Sequence, residues 1–550
     1  MKSAAWAGVL LGVSWLCGHH EPAFVLTLAV MGTGGAAFAQ SNGRKAVALR
    51  LAIVFGIMAL VSAVQVLPAM EYGKQAKRWT TTGPLTWKMK VGIPEHEDSG
   101  LPARELIHVA LPGGNGLRTD PFLGVVGLSL AAIALCGAFK RREVSLFAVM
   151  ALCALLYAIS RNNPLYGLLY VFLPLVEKSR APIMALSVFH FAVTTLAAIG
   201  ADLLFARAEW ARESRVLKAL PWFAGALLAL MLFKPDFDAR WMMIALIALL
   251  LAALHYAWIN GYVRREWALA LVGLLVVLEQ SNEVGWGWTN VHDEKRTVFL
   301  KPLLETQDVG RYLQWFPGIK RVGVNDNDLK FTFGDWYRLD AAHAFTASML
   351  TSTSELGWWQ DRLVQMYGIN FFVSRTPTRP AQQQEMFQGS SGIKVYANLD
   401  VFPRAWTVHE LLVAPNEWNG ATMVRDGDFD LRKIAVMVKE TPRLNLCDAA
   451  DNVTGIVDQP RLVQVHVEMA CKGLVVVSDN WYPGWDAWVD GKSAKIWKVN
   501  TVIRGVVVDA GRHQVVMKYR PFTVNFGFAC LLVGLAVAVV LQRRREEDVP

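Results

Sequence analysis

Apolar runs long enough, or nearly long enough, to cross a bilayer recur along the chain at 4–17, 22–40, 46–70, 122–139, 144–160, 182–205, 219–233, 241–259, 267–281 and 522–541. This spacing predicts about ten membrane helices. All but the last precede residue 282, and a long polar interval separates them from the run at 522–541. Ala37-Phe38-Ala39 before Gln40 imitates a signal-peptidase site. The apolar stretch ahead of it is about twice the usual length and is broken by Gly18-His19-His20-Glu21-Pro22, so two helices are expected there instead.

Basic residues then set the expected orientation. Arg44-Lys45, Lys140-Arg141-Arg142, Arg207 to Lys218, Arg264-Arg265 and Arg543-Arg544-Arg545 fall in alternate connections, which the positive-inside rule assigns to the cytoplasm. The opposite face receives Gly18 to Glu21, the loops 71–121 and 161–181, a turn near Asp236 and everything from 282 to 521. The expectation is a multi-pass protein of the cytoplasmic (inner) membrane, with its large domain extracytoplasmic and its C-terminus cytoplasmic.

Within the polar interval the pattern changes to repeated alternation, as in Leu474-Val475-Val476-Val477, Ala487-Trp488-Val489, Val506-Val507-Val508 and Gln514-Val515-Val516-Met517. Turn signals at Pro483-Gly484, Asp490-Gly491 and Ala510-Gly511 divide them, as in an antiparallel β-sandwich. Upstream, a helical pattern at Glu355 to Tyr367 alternates with strand-like Asn370 to Ser374 and Ile393 to Tyr396, which predicts an α+β region. The expected division is a membrane domain at 1–281, a mixed α/β region at 282–410, a β-sandwich at 411–521, a final membrane helix at 522–541 and a tail at 542–550.

Composition agrees with a membrane class: of 550 residues 53% are hydrophobic and 18% charged, against about 25% charged in soluble domains. The net charge of +9 resides in the short clusters between apolar runs, a topological arrangement that argues against a nucleic-acid partner. Of six cysteines, Cys17, Cys136, Cys153 and Cys530 lie in apolar runs. Cys447 and Cys471 lie in the large domain, where an oxidising compartment would permit a disulfide between them. No P-loop, Cys-x-x-Cys pair, His-Glu-x-x-His or Gly-x-Ser-x-Gly occurs, which disfavours ATP hydrolysis and zincin proteolysis.

Asp479-Asn480-Trp481-Tyr482-Pro483-Gly484-Trp485, with Val489-Asp490-Gly491, Arg504-Gly505-Val506, Gly511-Arg512-His513 and Tyr519-Arg520-Pro521 ahead of the last helix, resembles the C-terminal signature of the YfhO family of bacterial membrane proteins. Tyr367 to Val373, Val395 to Asn398, Phe402 to Ala405, Gly18-His19 and Glu177 to Pro182 extend the resemblance over most of the chain. It implies a polytopic α-helical membrane protein of GT-C-like fold. It also implies transfer of a sugar, with inversion, from a polyprenyl-phosphate carrier to an extracytoplasmic cell-envelope glycan or glycopolymer. The alternative is a non-catalytic scaffold or carbohydrate-binding protein in envelope polysaccharide assembly. Enzymes of that fold usually carry a carboxylate in the first external loop, after a first span; here Met1 is followed almost at once by a span leading to Gly18-His19, so the expectation is that the family's first span and its acidic loop are missing. The expectation is that a longer product or another polypeptide supplies them, or that Glu21, Glu71 or Asp120 substitutes.

Such chemistry needs a carboxylate to take the acceptor proton or bind a metal, and cations to hold the departing phosphate. His19, His20 and Glu21 interrupt a span, either as ligands or as a polar turn capped by Pro22. Glu71 is followed by Lys74, Lys77 and Arg78, a set suited to a lipid-linked phosphate or to snorkelling at the interface. Arg161 and Arg180 bracket the third external loop, where Arg180 either clamps phosphate or pairs with Glu177. Asp120 precedes Pro121 as a substitute carboxylate or an N-cap. Trp481 and Trp485, with Tyr482 and Trp488, offer rings for sugar stacking or core packing. No motif demands a cofactor, although a carboxylate set of this kind can hold a divalent metal. The expected partners are the lipid bilayer, the sugar donor and the envelope acceptor.

Overall fold

The computed structural model describes every residue except 81–82, 114–119, 162, 207–214, 234–239, 289–299, 317, 319, 330–331, 343–347, 358–359, 448 and 544–550. The turn near Asp236, most of the basic connection from Arg207 and the terminal Arg544-Arg545 therefore lie outside the described residues. Each apolar run folds as a helix: α1 (Lys2–Trp15), α2 (His20–Gln40), α3 (Arg44–Gln75), α4 (Gly124–Ala138), α5 (Arg142–Ile159), α6 (Leu186–Ala206), α7 (Arg215–Phe233), α8 (Arg240–Ile259), α9 (Arg265–Trp288) and α10 (Phe522–Arg543). Six of these, α2, α3, α5, α6, α8 and α10, are long and apolar enough to cross a bilayer, α6 being counted from Pro182. The protein is membrane-embedded and carries a β-rich domain.

The helices form two groups. In the first, α1 and α10 both pack on α3, so the last helix returns to the first. Small residues make the approach close: a Cβ on Gly8 of α1 would stand 2.7 Å from Val54 O, and one on Gly527 of α10 would stand 2.6 Å from Val64 Cα. Between apolar helices in lipid, such backbone proximity supplies the dispersion contacts that hydrophobic burial supplies in water. In the second group α4 lies on α6, α5 lies on α6, and α7 and α8 close the bundle around a large apolar core that includes Phe24 and Val25 of α2. Gly200 of α6 is tightest, since a Cβ there would meet Leu130 O at 1.8 Å.

The start of α4 shows how a helix end is satisfied away from water. Its first amide groups have no intrahelical acceptor, and the Glu279 carboxylate of α9 accepts from Val125 N at 2.6 Å and Val126 N at 3.0 Å. Helix α3, at 32 residues, is about 48 Å long, well beyond the roughly 30 Å hydrocarbon thickness. Its end carries Glu71 and Tyr72 out to the large domain, where the Tyr72 hydroxyl donates to Ser348 O at 3.1 Å. The chain then enters a three-stranded sheet in which Ala76–Thr80 pairs with both Gly83–Thr86 and Ser348–Leu350.

The large domain contains a mixed sheet in the order Asp340–Ala341, Arg321–Val324, Ile369–Ser374, Lys394–Asn398 and Gln383–Gln388. The helical pattern expected at Glu355 to Tyr367 divides into Thr351–Leu356 and Asp361–Met366 around Gly357, whose φ of +83° ends the first segment. Beyond lies a sandwich of a five-stranded sheet (Asn452–Gln459, Leu462–Met469, Gly511–Tyr519, Trp485–Val489, Lys492–Ala494) on a four-stranded sheet (Ile496–Val499, Ile503–Val508, Gly473–Asn480, Ala405–Val408). The division expected at 410/411 is corrected here, because Ala405–Val408 pairs with Gly473–Asn480 and belongs to the sandwich. Leu474-Val475-Val476-Val477 is buried throughout rather than alternately. Its sheet is covered on one face by the sandwich core and on the other by the parallel pair Glu410–Ala414 and Ile434–Val438 with the helix Glu417–Asp426. A strand covered on both faces has no polar side to present. Cys447 and Cys471 are joined as a disulfide.

One carboxylate ties the mixed sheet to the sandwich. Asp479 Oδ1 accepts from Arg321 Nη2 and from Arg404 Nη2, each at 2.7 Å, and Oδ2 is paired with Arg504. Burial would raise the Asp479 pKa, but the three guanidinium groups outweigh it and hold the value down to about 2.

Two consequences can be measured. A Gly200→Leu substitution should separate α4 from α6 and cost about 3 kcal/mol or more. Thermal unfolding in detergent should show the loss, whereas Gly225→Leu, with nothing within 4 Å of its Cβ, should be neutral. Because the Asp479 pKa is depressed on folding, its contribution is fully present above the ordinary carboxylate value and lost as pH falls from about 4 to about 2. Unfolding followed across that window should include a loss of roughly 2 kcal/mol from this carboxylate. Asp479→Asn should be less stable at neutral pH and should lose roughly 2 kcal/mol less than the parent through the same window.

Candidate functional site

A buried polar group lies where α2 and α6 begin and the segments 76–98 and 157–181 meet them. Glu21, in the first turn of α2, is 3% exposed. Its carboxylate accepts from the Arg180 amide, and from the Ala181 amide at 3.1 Å through both oxygens. These amides precede Pro182, which opens the 3-10 turn leading into α6. The 3-10 turn Val176–Lys178 ends at Ser179, and Glu21 serves the next two amides from the neighbouring helix.

Glu95 lies in the short helix Ile93–Asp98 and is 2% exposed. This helix is held in place at both ends: Val91 N donates to Glu177 O at 2.9 Å, and Leu101 N donates to Ala158 O at 2.7 Å. Arg180 Nε lies 3.2 Å from Glu95 Oε1. Arg78, on the strand leaving α3, donates from Nη1 to Lys178 O at 2.9 Å and lies within the field of Glu21, Glu95 and Arg180. His20 faces Glu21 and Arg78 from the open side. The arrangement is layered: the carboxylates are inside, while Arg180 keeps 29% of its side chain accessible.

His96 is fully buried behind Glu95. Its Nδ1 meets the Tyr166 hydroxyl, and its ring stands edge-on to Tyr170 at 5.4 Å. Ser160, at φ +48°, donates to His96 O at 3.2 Å. A non-glycine residue in that region is held there by its surroundings. Burial lowers the His96 pKa and outweighs the opposing pull of Glu21, so the ring is neutral at neutral pH. Burial also raises the Tyr166 hydroxyl, which keeps its proton.

The structure brings Glu21, His20, Arg78 and Arg180 together. Other expected residues are elsewhere. His19 is exposed and stacks on His20 at 6.0 Å. Lys74 and Arg161 are exposed, and Lys77 pairs with Glu355 at 3.3 Å. Glu71 turns toward Tyr482 and Tyr519 of the sandwich rather than toward Glu21. Asp120 accepts from Phe122 N at 2.9 Å in the non-helical segment ahead of α4, whose cap position is Leu123, and lies against Glu283. Arg180 pairs with Glu95 instead of Glu177. Of the aromatic set, Trp485 lies beneath the Arg504 guanidinium at 3.7 Å, whereas Trp481 is near Lys498 and Trp488 is near Arg520.

Glu95, His96 and Tyr166 were not legible as site residues in the sequence. The available signal was the acidic run Glu95-His96-Glu97-Asp98 behind Pro94, inside a loop too long to be a plain connection. Among the described residues no three His, Cys, Asp or Glu side chains are grouped to hold a metal ion. The chain matches no protein-family model and no curated protein.

Glu21→Gln keeps an oxygen for the two amides and should leave thermal stability within a few degrees of the parent. Glu21→Ala strands both donors beside two guanidinium groups and should cost about 2–4 kcal/mol, read as a fall in unfolding temperature of the detergent-solubilised protein.

Proposed function

We propose that the chain is a GT-C-like membrane glycosyltransferase, which uses a polyprenyl-phosphate-linked sugar to modify an extracytoplasmic cell-envelope acceptor. The observation that carries this reading is the convergence of two buried carboxylates, Glu21 and Glu95, with two partly open guanidinium groups, Arg78 and Arg180, at one end of the membrane helices. The YfhO-like segments Gly18-His19, Glu177 to Pro182 and Asp479 to Trp485 support the same reading.

In this reaction Arg78 and Arg180 hold the donor phosphate by charge-assisted hydrogen bonds. Arg180 then transfers its pairing from Glu95 to the phosphate. Glu95 is left as a buried carboxylate without that counter-charge, which raises its affinity for a proton. The acceptor hydroxyl attacks the anomeric carbon and gives its proton to Glu95. The bond between the anomeric carbon and the phosphate oxygen breaks, and the polyprenyl phosphate leaves with that oxygen and its electron pair. Glu21 is a positioning residue that fixes the backbone of Arg180. The layered arrangement suits this order of events, since the phosphate meets the cations first.

A second reading, a non-catalytic membrane scaffold for envelope polysaccharide assembly, is favoured by the fact that Glu21 and Glu95 already have protein partners. Transfer of labelled sugar from polyprenyl phosphate, assayed in native membranes, separates the two. Glu95→Gln should lower kcat at least 100-fold with the protein still abundant, and Arg180→Ala should chiefly raise the donor KM. Full incorporation by both variants, combined with loss of polymer assembly on deleting 282–521, would establish the scaffold.

A further inference from the structure

The large domain contains a cavity of about 790 Å³ between the mixed sheet and the sandwich, within the roughly 300–1,000 Å³ common for ligand sites. It is remote in sequence from Glu95 and Arg180 and contains none of the residues of that cluster. Five cations line it (Lys320, Arg321, Arg338, Arg404 and Arg504), against three carboxylates (Asp340, Asp458 and Asp479), a surplus of two positive charges.

Most of these charges are engaged. Arg404 donates from Nε to Asp458 at 2.7 Å, Arg321 and Arg404 both reach Asp479, and Arg321 Nε lies 3.6 Å from Asp340. Arg504 is different. It is 1% exposed, and among the described residues only its Nη2 is paired, with no hydrogen-bond partner there for Nε or Nη1. Its guanidinium plane lies on the Trp485 ring at 3.7 Å, which leaves the edge as the part able to donate. An unpaired buried guanidinium nitrogen costs far more than a neutral donor, and a fold that only needed to bind Asp479 already has Arg321 and Arg404 for it. Tyr482, Tyr519 and Asn480 line the same cavity, a combination of flat apolar rings and polar groups that suits a pyranose.

We infer that this cavity binds an anionic saccharide, whose carboxylate or phosphate accepts from Arg504 and whose ring packs on Tyr482 and Tyr519. Binding itself does not depend on the transferase reading.

The test is binding to the full-length purified protein in detergent, by calorimetry, without donor present. Trigalacturonate probes the carboxylate, glucose 6-phosphate the phosphate, and maltotriose and inorganic phosphate serve as controls. Saturable binding of either anionic saccharide is expected, at least tenfold tighter than either control. It should weaken at least tenfold in Arg504→Met. The exposed double variant Lys320→Glu/Arg338→Glu, which leaves the Asp479 contacts intact, should weaken it similarly and covers the case in which Arg504→Met does not fold. The proposal is overturned if neither anionic saccharide binds, if maltotriose or phosphate alone binds as tightly, or if the double variant binds as well as the parent. Loss of sugar transfer with this binding intact would count against the transferase alone.

Discussion

The organisation of the membrane end depends on one buried carboxylate and the amides it serves. A chain that turns into a helix at a proline leaves the preceding N–H groups without acceptors, and in a water-poor setting these must be met by protein. Glu21 meets those of Arg180 and Ala181. This single contact fixes the start of α2 against the start of α6, which belong to different parts of the sequence. It also fixes the direction in which Arg180 leaves the backbone, and hence its pairing with Glu95. Arg78 follows from the same charge arrangement, since a guanidinium is tolerated there because Glu21 and Glu95 offset its burial.

The large domain repeats the principle with the signs exchanged. Asp479 is a lone carboxylate gripped by three guanidinium groups from three strands or their edges, which pins the mixed sheet to the sandwich. Neutrality is then approached through Asp458 and Asp340, which take up Arg404 and Arg321. Among the described residues Arg504 pairs with no second carboxylate. In a purely structural lock that omission would be a defect, because each unpaired buried donor lowers stability.

Much of the architecture could be read from periodicity. Ten apolar runs are ten helices, and the turn pairs Pro483-Gly484, Asp490-Gly491 and Ala510-Gly511 do separate strands of the sandwich. The errors have physical origins. Leu474 to Val477 looked like half of an alternating strand because sequence does not reveal that a second layer covers the other face. Glu355 to Tyr367 looked like one helix because periodicity continues across the break at Gly357. Within the site, Glu21, Arg78 and Arg180 stood out because charge beside an apolar run is expensive and so conspicuous. Glu95 and His96 did not, because their burial comes from tertiary closure of a polar loop by Tyr166, Tyr170 and Ser160. Glu71 and Asp120 satisfied the same sequence criterion as Glu21, and only the folded chain separates them.

That separation gives α3 a second role. Glu71 and Arg78 lie seven positions apart at the end of a helix that outruns the bilayer, yet they face different centres. Arg78 joins the Glu21 and Glu95 group, while Glu71 lies against Tyr482 and Tyr519, whose rings line the cavity at Asp479. Burial and the Glu71 charge together raise the Tyr482 hydroxyl, so that it remains a donor toward the carboxylate. The strand that follows α3 is clamped by Ser348–Leu350 of the large domain and by the Lys77 to Glu355 pair. A stiff connection of this length cannot let one centre shift without strain at the other. The two polar centres are therefore one mechanical unit, and the overlong end of α3 joins them.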